Sequence, residues 1–240
     1  MDNQVQQKLQ SYIPSDAAVK LIKATPILLL VGPTGAGKDS LKEKLLETNQ
    51  YHHLISHTTR PPRVNQGVSE QDGREYHFIT MAQAEQMLDE QAFVEAKMYS
   101  GHLYGTSVAE IQTAHDDHKI ALTDVDVQGV AEYKELDPAV MALFLLPPDF
   151  ETWQARLSRR YGDVVDAADS RLRLETALSE LDQLLTTDHY IPVINDNIDQ
   201  VFSEVQQLTK TRQAQPELVE AAHRVAQKLA DDIRTYLSAS

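Results

Sequence analysis

Residues 25–41, TPILLLVGPTGAGKDSL, constrain the fold more than any other stretch of the chain. The continuous apolar run between Pro26 and Gly32 has the character of a strand buried on both faces, as in a parallel sheet covered by helices. A glycine-rich turn follows it, and then KDSLKEKLLE, in which Leu41, Leu45 and Leu46 fall at helical spacing. Glycines at 32, 35 and 37 permit positive φ and close backbone approach, so the loop Gly32, Pro33, Thr34, Gly35, Ala36 and Gly37 can turn its N–H groups toward an anion. The helix start adds its positive end, and Lys38 supplies a cation for phosphate oxygens. The competing reading is a glycine-rich connection with an incidental lysine. In the pattern G-x-x-x-x-G-K-[ST] the next residue is a hydroxyl that helps hold Mg²⁺, but here it is Asp39, with Ser40 one place on. A carboxylate is a good hard-cation ligand, yet it would repel a terminal phosphate unless a metal lay between them.

The rest of the chain alternates in the same way. KIALTDVD, AVMALFLLP and HYIPVIN read as strands, while VQGVAEYKEL, DFETWQARLSRR, RLRLETALSELDQLL and DQVFSEVQQL read as helices. The expected fold class is therefore α/β, a three-layer core with a mainly parallel sheet. Residues 51–106 differ, being short, alternating and rich in β-branched and aromatic residues. They read as a small sheet lobe with one helix, MAQAEQMLDEQ, inserted into the core. Residues 1–24 read as a polar helical extension broken at Pro14, and YGDVVDAADS (161–170) as a polar flap. Residues 212–240 carry an amphipathic helix beginning at Pro216, with Leu218, Val219, Ala222, Val225, Leu229 and Ile233 on one face. Its stripe is expected to face its own domain.

Three further groups carry chemistry. In TDVDVQG, Asp124 and Asp126 alternate onto one side at the carboxyl end of an apolar strand, where open α/β sheets place ligands; the plain alternative is a turn cap. Arg156 and Arg160 share a helix face, and Arg171 opens the next helix. Converging guanidiniums offset the charge of a transferring phosphoryl group, although any one of them taken singly reads rather as a solvated helix charge. In SHTTRPPR, Arg60 and Arg63 flank stiffening prolines beside Ser56, Thr58 and Thr59, a group suited to a second phosphate or to an ordinary polar turn. HDDH at 115–118 could set His115 and His118 on one helix face, but it lacks a third ligand and reads as solvated surface.

A formal charge of −14 argues against a sequence-independent nucleic-acid binder, and the absence of cysteine excludes thiolate zinc sites, disulfides and thiol nucleophiles. The N-terminus has no basic and apolar leader pattern, and PILLLV is far too short to cross a bilayer. The expectation is thus a cytoplasmic protein without membrane or nucleic-acid partners.

Read in order, GPTGAGKDSL, SHTTRPPR, GREYHF, FVEAKMYSGHLYGT, DVDVQG, RLSRR…RLRLETALSEL and VIND resemble the guanylate kinase family over about residues 27–210. The resemblance implies a P-loop core over 25–50 and 107–211, a nucleoside-monophosphate lobe over 51–106 and a lid over 156–173. It implies the substrates ATP and GMP with Mg²⁺, and it is compatible with a homodimer. Ser56, Arg60, Arg63, Tyr76 and Tyr104 would hold the GMP phosphate, and Glu95, Thr106 and Asp126 would read the guanine edge. Asp124 would act near the metal and the acceptor phosphate, with Asp39 as the second metal ligand. Lys38, Arg60, Arg156, Arg160 and Arg171 would stabilise the transferring group, and Asn195 would lie near the ATP base or ribose. Asp39, the long connection from Arg63 to Tyr76 and the two terminal helices depart from the family pattern. Ribose 1,5-bisphosphate kinases share a GKDS loop, so another phosphorylated acceptor is one alternative. A weakly active or inactive binding module is the other.

Overall fold

The computed structural model describes residues 3–65, 67–161 and 167–239. In chain order the elements begin with α1 (Asn3–Gln10), α2 (Asp16–Ala24), β1 (Ile27–Val31), α3 (Lys38–Leu46), β2 (Tyr51–His53), β3 (His57–Thr58), β4 (Val64–Asn65), β5 (Val68–Ser69) and β6 (His77–Phe78). Next come α4 (Met81–Asp89), β7 (Phe93–Tyr99), β8 (His102–Ser107), α5 (Val108–Asp116), β9 (Ile120–Asp124) and α6 (Val127–Leu136). The chain ends with β10 (Met141–Leu146), α7 (Phe150–Tyr161), α8 (Ala167–Thr186), β11 (Ile191–Ile194), α9 (Ile198–Thr211) and α10 (Pro216–Ala239). They form two compact units.

The unit containing Leu28–Thr48, Asp124–Lys134 and Val140–Ser240 is built on parallel strands: β1 pairs with β10, and β10 with β11. Every residue of β1 and β10 is buried, as the unbroken apolar runs require for strands covered on both faces. Asn197 caps α9 by accepting from the backbone N–H groups of Asp199 and Gln200. Helix α10 packs on α8 and β11, burying Ala222, Ala226, Leu229, Ala230 and Ile233 within its own unit.

The other unit contains Met1–Ile27, Asn49–Thr123 and Glu135–Ala139. Its main sheet has the order β6-β3-β8-β7, β4 and β5 form a separate antiparallel pair, and β2 pairs in parallel with β9. Residues 51–53 therefore stand outside the small sheet that the sequence assigns them to, because their partner is the apolar strand β9. The N-terminal helix contributes to this unit's core, with Val5 buried among Ala84, Leu88, Phe93 and Leu103. Tyr12 Oη donates to the Phe93 carbonyl at 2.6 Å, and Lys8 bridges Glu85 and Asp89 on α4. The reciprocal capping box of Thr80 and Gln83 starts α4.

Two readings need correction. Strand β9 stops at Asp124, so Asp126 does not share its alternation; Asp126 Oδ1 accepts from Gly129 N at 2.7 Å and caps α6. Helix α5 stops at Asp116, which leaves His118 beyond the helix at φ 55° and off His115's face. Of the flap, residues 162–166 lie outside the described residues, and so does that part of the 156–173 lid. No described helix is long and apolar enough to cross a membrane.

Candidate functional site

The loop after β1 is shaped by contacts with its own backbone. Gly32 has φ 126°, and any Cβ there would collide with the Leu145 carbonyl of β10, so only glycine fits. Gly37 caps α3 in the left-handed region, and a Cβ there would strike Asn195 Nδ2. Two distant side chains brace the loop: Trp153 Nε1 donates to the Thr34 carbonyl at 2.7 Å, and Asn195 Nδ2 to the Ala36 carbonyl at 2.7 Å. Asn195, buried at the end of β11, thus supports the loop through its side chain, while its carbonyl accepts from Arg156 Nη2 at 2.9 Å. Lys38 folds back across the loop, its Nζ donating to the carbonyls of Gly32 and Pro33. Burial lowers the Lys38 pKa, and Glu180, Asp124 and Asp39 oppose that shift. Glu180 on α8 is the counterpart: burial raises its carboxyl, with Lys38 pulling the other way.

A cavity of about 620 Å³ opens over the loop, lined by Lys38, Asp39, Ser40, Asp124, Arg156 and Arg160, with Arg159 and Asn195 at its wall. Asp39 pairs with Arg160 at 3.3 Å, both side chains being about half exposed (56% and 51%), which makes this a solvated bridge. Asp124 pairs with Lys42 at 2.6 Å. Two carboxylates and a hydroxyl facing one cavity suit a hard divalent cation such as Mg²⁺, which takes one or two carboxylates and completes its shell with phosphate oxygens and water. Among the described residues no group of three or more His, Asp or Glu side chains is placed to hold a metal by itself. Arg171 is not among the residues at this cavity; its Nε donates to Glu175 at 2.9 Å on its own exposed helix face.

In the other unit, Arg60 is buried, and most of its donors are engaged. Its fork meets the Glu70 carboxylate through two contacts, Nη1–Oε2 at 2.9 Å and Nη2–Oε1 at 3.1 Å. Arg60 Nε donates to Tyr104 Oη at 3.2 Å, and the guanidinium lies over the Tyr76 ring at 5.3 Å. Glu70 also accepts from Arg63 N at 2.7 Å, and it is held below the usual carboxylate range chiefly by Arg60. The structure so gathers Arg60, Tyr76 and Tyr104, with Ser56 on the strand pair β3–β6 through His77 N, which donates to the Ser56 carbonyl at 2.9 Å. The Arg63 side chain is exposed. On β7 and β8, Glu95 Oε1 accepts from both Thr106 N (3.0 Å) and Thr106 Oγ1 (2.8 Å), which fixes the carboxylate. Asp126 belongs to the first-described unit and not to this one.

Sequence reasoning missed Glu70, Lys42, Arg159, Glu180 and the brace Trp153. Glu70 and Lys42 are acidic or basic residues within ordinary polar runs, and only their partners mark them. The single tryptophan was the one available signal for Trp153, since its indole N–H needs an acceptor when buried.

Comparisons with known proteins agree with one another. The family profile described as "Guanylate kinase" matches residues 23–212. A guanylate kinase of Schizosaccharomyces pombe is 33% identical over 199 residues, covering 81% of this chain and 95% of the relative. The guanylate kinase of Sus scrofa is 32% identical over 177 residues, covering 73% and 87%. The crystal structure of guanylate kinase from Anaplasma phagocytophilum has a similar fold, with a TM-score of 0.57 at 22% identity over 82% of this chain and 94% of that one.

Proposed function

The chain belongs to the guanylate kinase family, and on that premise we propose that it transfers the γ-phosphoryl group of ATP to GMP, yielding ADP and GDP. The observation that supports this most is the cavity over the glycine loop, where Lys38, Arg156 and Arg160 converge with Asp124. Transfer of this kind needs little covalent chemistry from the protein, so positioning and charge neutralisation do the work.

The loop N–H groups and the start of α3 hold the ATP phosphates, and Lys38 turns from the Gly32 and Pro33 carbonyls toward the β and γ oxygens. That exchange favours the charged lysine, because phosphate replaces neutral carbonyl partners in a partly buried place where desolvation lowers its pKa. Arg156 and Arg160 neutralise charge on the transferring group. As the bond from a GMP phosphate oxygen to Pγ forms, the bond from Pγ to the β–γ bridging oxygen breaks, and the electron pair leaves with ADP. A Mg²⁺ ion held by Asp39 and Asp124, with Ser40 beside them, would further screen the phosphate charge.

In the acceptor lobe, Ser56, Arg60, Arg63, Tyr76 and Tyr104 take the GMP phosphate. Arg60 brings to it a guanidinium already oriented by Glu70 and Tyr104. Glu95, oriented by Thr106, accepts from guanine N1–H and N2–H₂; adenine would place the N1 lone pair against the carboxylate. Asp126, which the resemblance adds to the guanine-reading set, lies in the other unit and caps α6, so the reading of guanine proposed here rests on Glu95 and Thr106.

The test is a competition between GMP and other phosphorylated acceptors, AMP, CMP, UMP and ribose 1,5-bisphosphate, with ADP release as readout. GMP is expected to be preferred by at least about tenfold. Preference for the sugar phosphate would replace this reading.

A further inference from the structure

Glu110, on the first turn of α5, is used in an unexpected way. It stands three residues after Ser107, the N-cap of α5, whose hydroxyl accepts from Glu110 N at 3.4 Å. That spacing is the capping-box pattern, in which the glutamate reaches back to the cap's own N–H. Instead the carboxylate gathers three donors from other elements. Oε2 accepts from Ile55 N at 3.0 Å and lies 3.3 Å from His52 Nε2 of β2, while Oε1 lies 3.2 Å from His77 Nε2 of β6. The side chain is 16% exposed, so these bonds are shielded from water.

The place where the three donors meet is the weakest part of the small sheet. Strands β3 and β6 have two residues each, β6 is an edge strand, and their pairing rests on His77 N to Ser56 O and Ile79 N to Thr58 O, each at 2.9 Å. A pair so short has little stability of its own. Yet it carries Ser56 at one strand's start and Tyr76 just before the other. The His57 ring packs on His77 with centroids 4.7 Å apart. Burial, together with His77, pushes His57 down to about 4, so at neutral pH it is uncharged and adds no ion pair to Glu110.

We propose that Glu110 is a positioning residue for the acceptor phosphate: by tying Ile55 and His77 to α5, it fixes the spacing of their neighbours Ser56 and Tyr76. This rests on the GMP-binding reading above. The carboxylate touches no substrate; it sets where two phosphate-binding side chains stand.

The experiment uses the full chain, with GMP affinity measured by titration calorimetry without ATP, steady-state kinetics for both substrates, and thermal melting. Glu110→Ala is expected to weaken GMP binding and raise KM for GMP about tenfold, leaving kcat and KM for ATP within about twofold. Glu110→Gln keeps the volume and one acceptor oxygen but presents N–H₂ where the second oxygen stood, so a smaller loss of about threefold is expected. If the alanine variant does not fold, the glutamine variant decides by the same split. A folded variant that binds GMP as the wild type does, or that loses kcat and both KM values together, overturns the inference. A wild type that binds no GMP overturns the functional reading instead.

Discussion

Around the glycine loop the chain is fixed through its backbone: Trp153, Asn195 and Lys38 all donate to loop carbonyls, while the charged pair Asp39–Arg160 sits at a half-exposed surface. Around Arg60 the arrangement is reversed. Charge does the fixing there, with a fork-to-carboxylate pair whose side chains are only 7% and 10% exposed. The two regions should therefore respond to different perturbations. The stability of the loop should be sensitive to changes of shape and indifferent to its surface charges, whereas that of the Arg60 region should be sensitive to loss of one charge.

The largest expected effect is catalytic. Lys38→Ala removes the partly buried cation at the loop, and kcat should fall by about 10²–10³-fold, while GMP affinity in calorimetry stays unchanged. Loss of GMP binding in that variant would break the division between the regions.

Glu70→Ala comes next. It leaves the buried Arg60 without its carboxylate, and urea unfolding should show a loss of about 2–3 kcal/mol together with weaker GMP binding. The pH dependence follows from the same pair. Glu70 is held below its ordinary 4.5 in the folded protein, so its contribution is fully present above that value and is lost as pH falls through the depressed folded value. The wild type should therefore lose stability more steeply than Glu70→Gln as pH is lowered below 4.5. Parallel acid profiles would show that the pair is not stabilising.

Trp153→Phe removes one brace but keeps an aromatic ring. A loss of about 1 kcal/mol and a several-fold rise in KM for ATP are expected, with KM for GMP unmoved. In stability alone, Asp39→Ser should be the mildest change, within about 1 kcal/mol and shrinking further with added salt, since it breaks a solvated bridge.

The same contrast explains what the sequence could show. The loop was legible because its determinants are contiguous: glycine spacing, the apolar run of β1 and the helix after Lys38 all lie in one short segment. Strands β10 and β11 and helix α10 were legible for the same reason, through local apolar pattern. Partnerships across sequence were not. Nothing local marks Glu70 as the mate of Arg60, Lys42 as the mate of Asp124, or Glu110 as the acceptor for Ile55 and His77. Asp126 misled for a related reason: alternation assigns it to the strand, but its carboxylate finds Gly129 N first, and the chain turns into α6. Arg171 likewise found Glu175 one turn along its own helix.

Passage of a phosphoryl group from ATP to GMP is what every role assigned above serves. Following ATP, ADP, GMP and GDP together by ³¹P NMR tests it most directly, because transfer and hydrolysis give different products. ADP and GDP are expected in equal amounts, with no transfer when GMP is left out. ADP formed without GDP, or no ADP at all from a folded sample supplied with GMP, would contradict it.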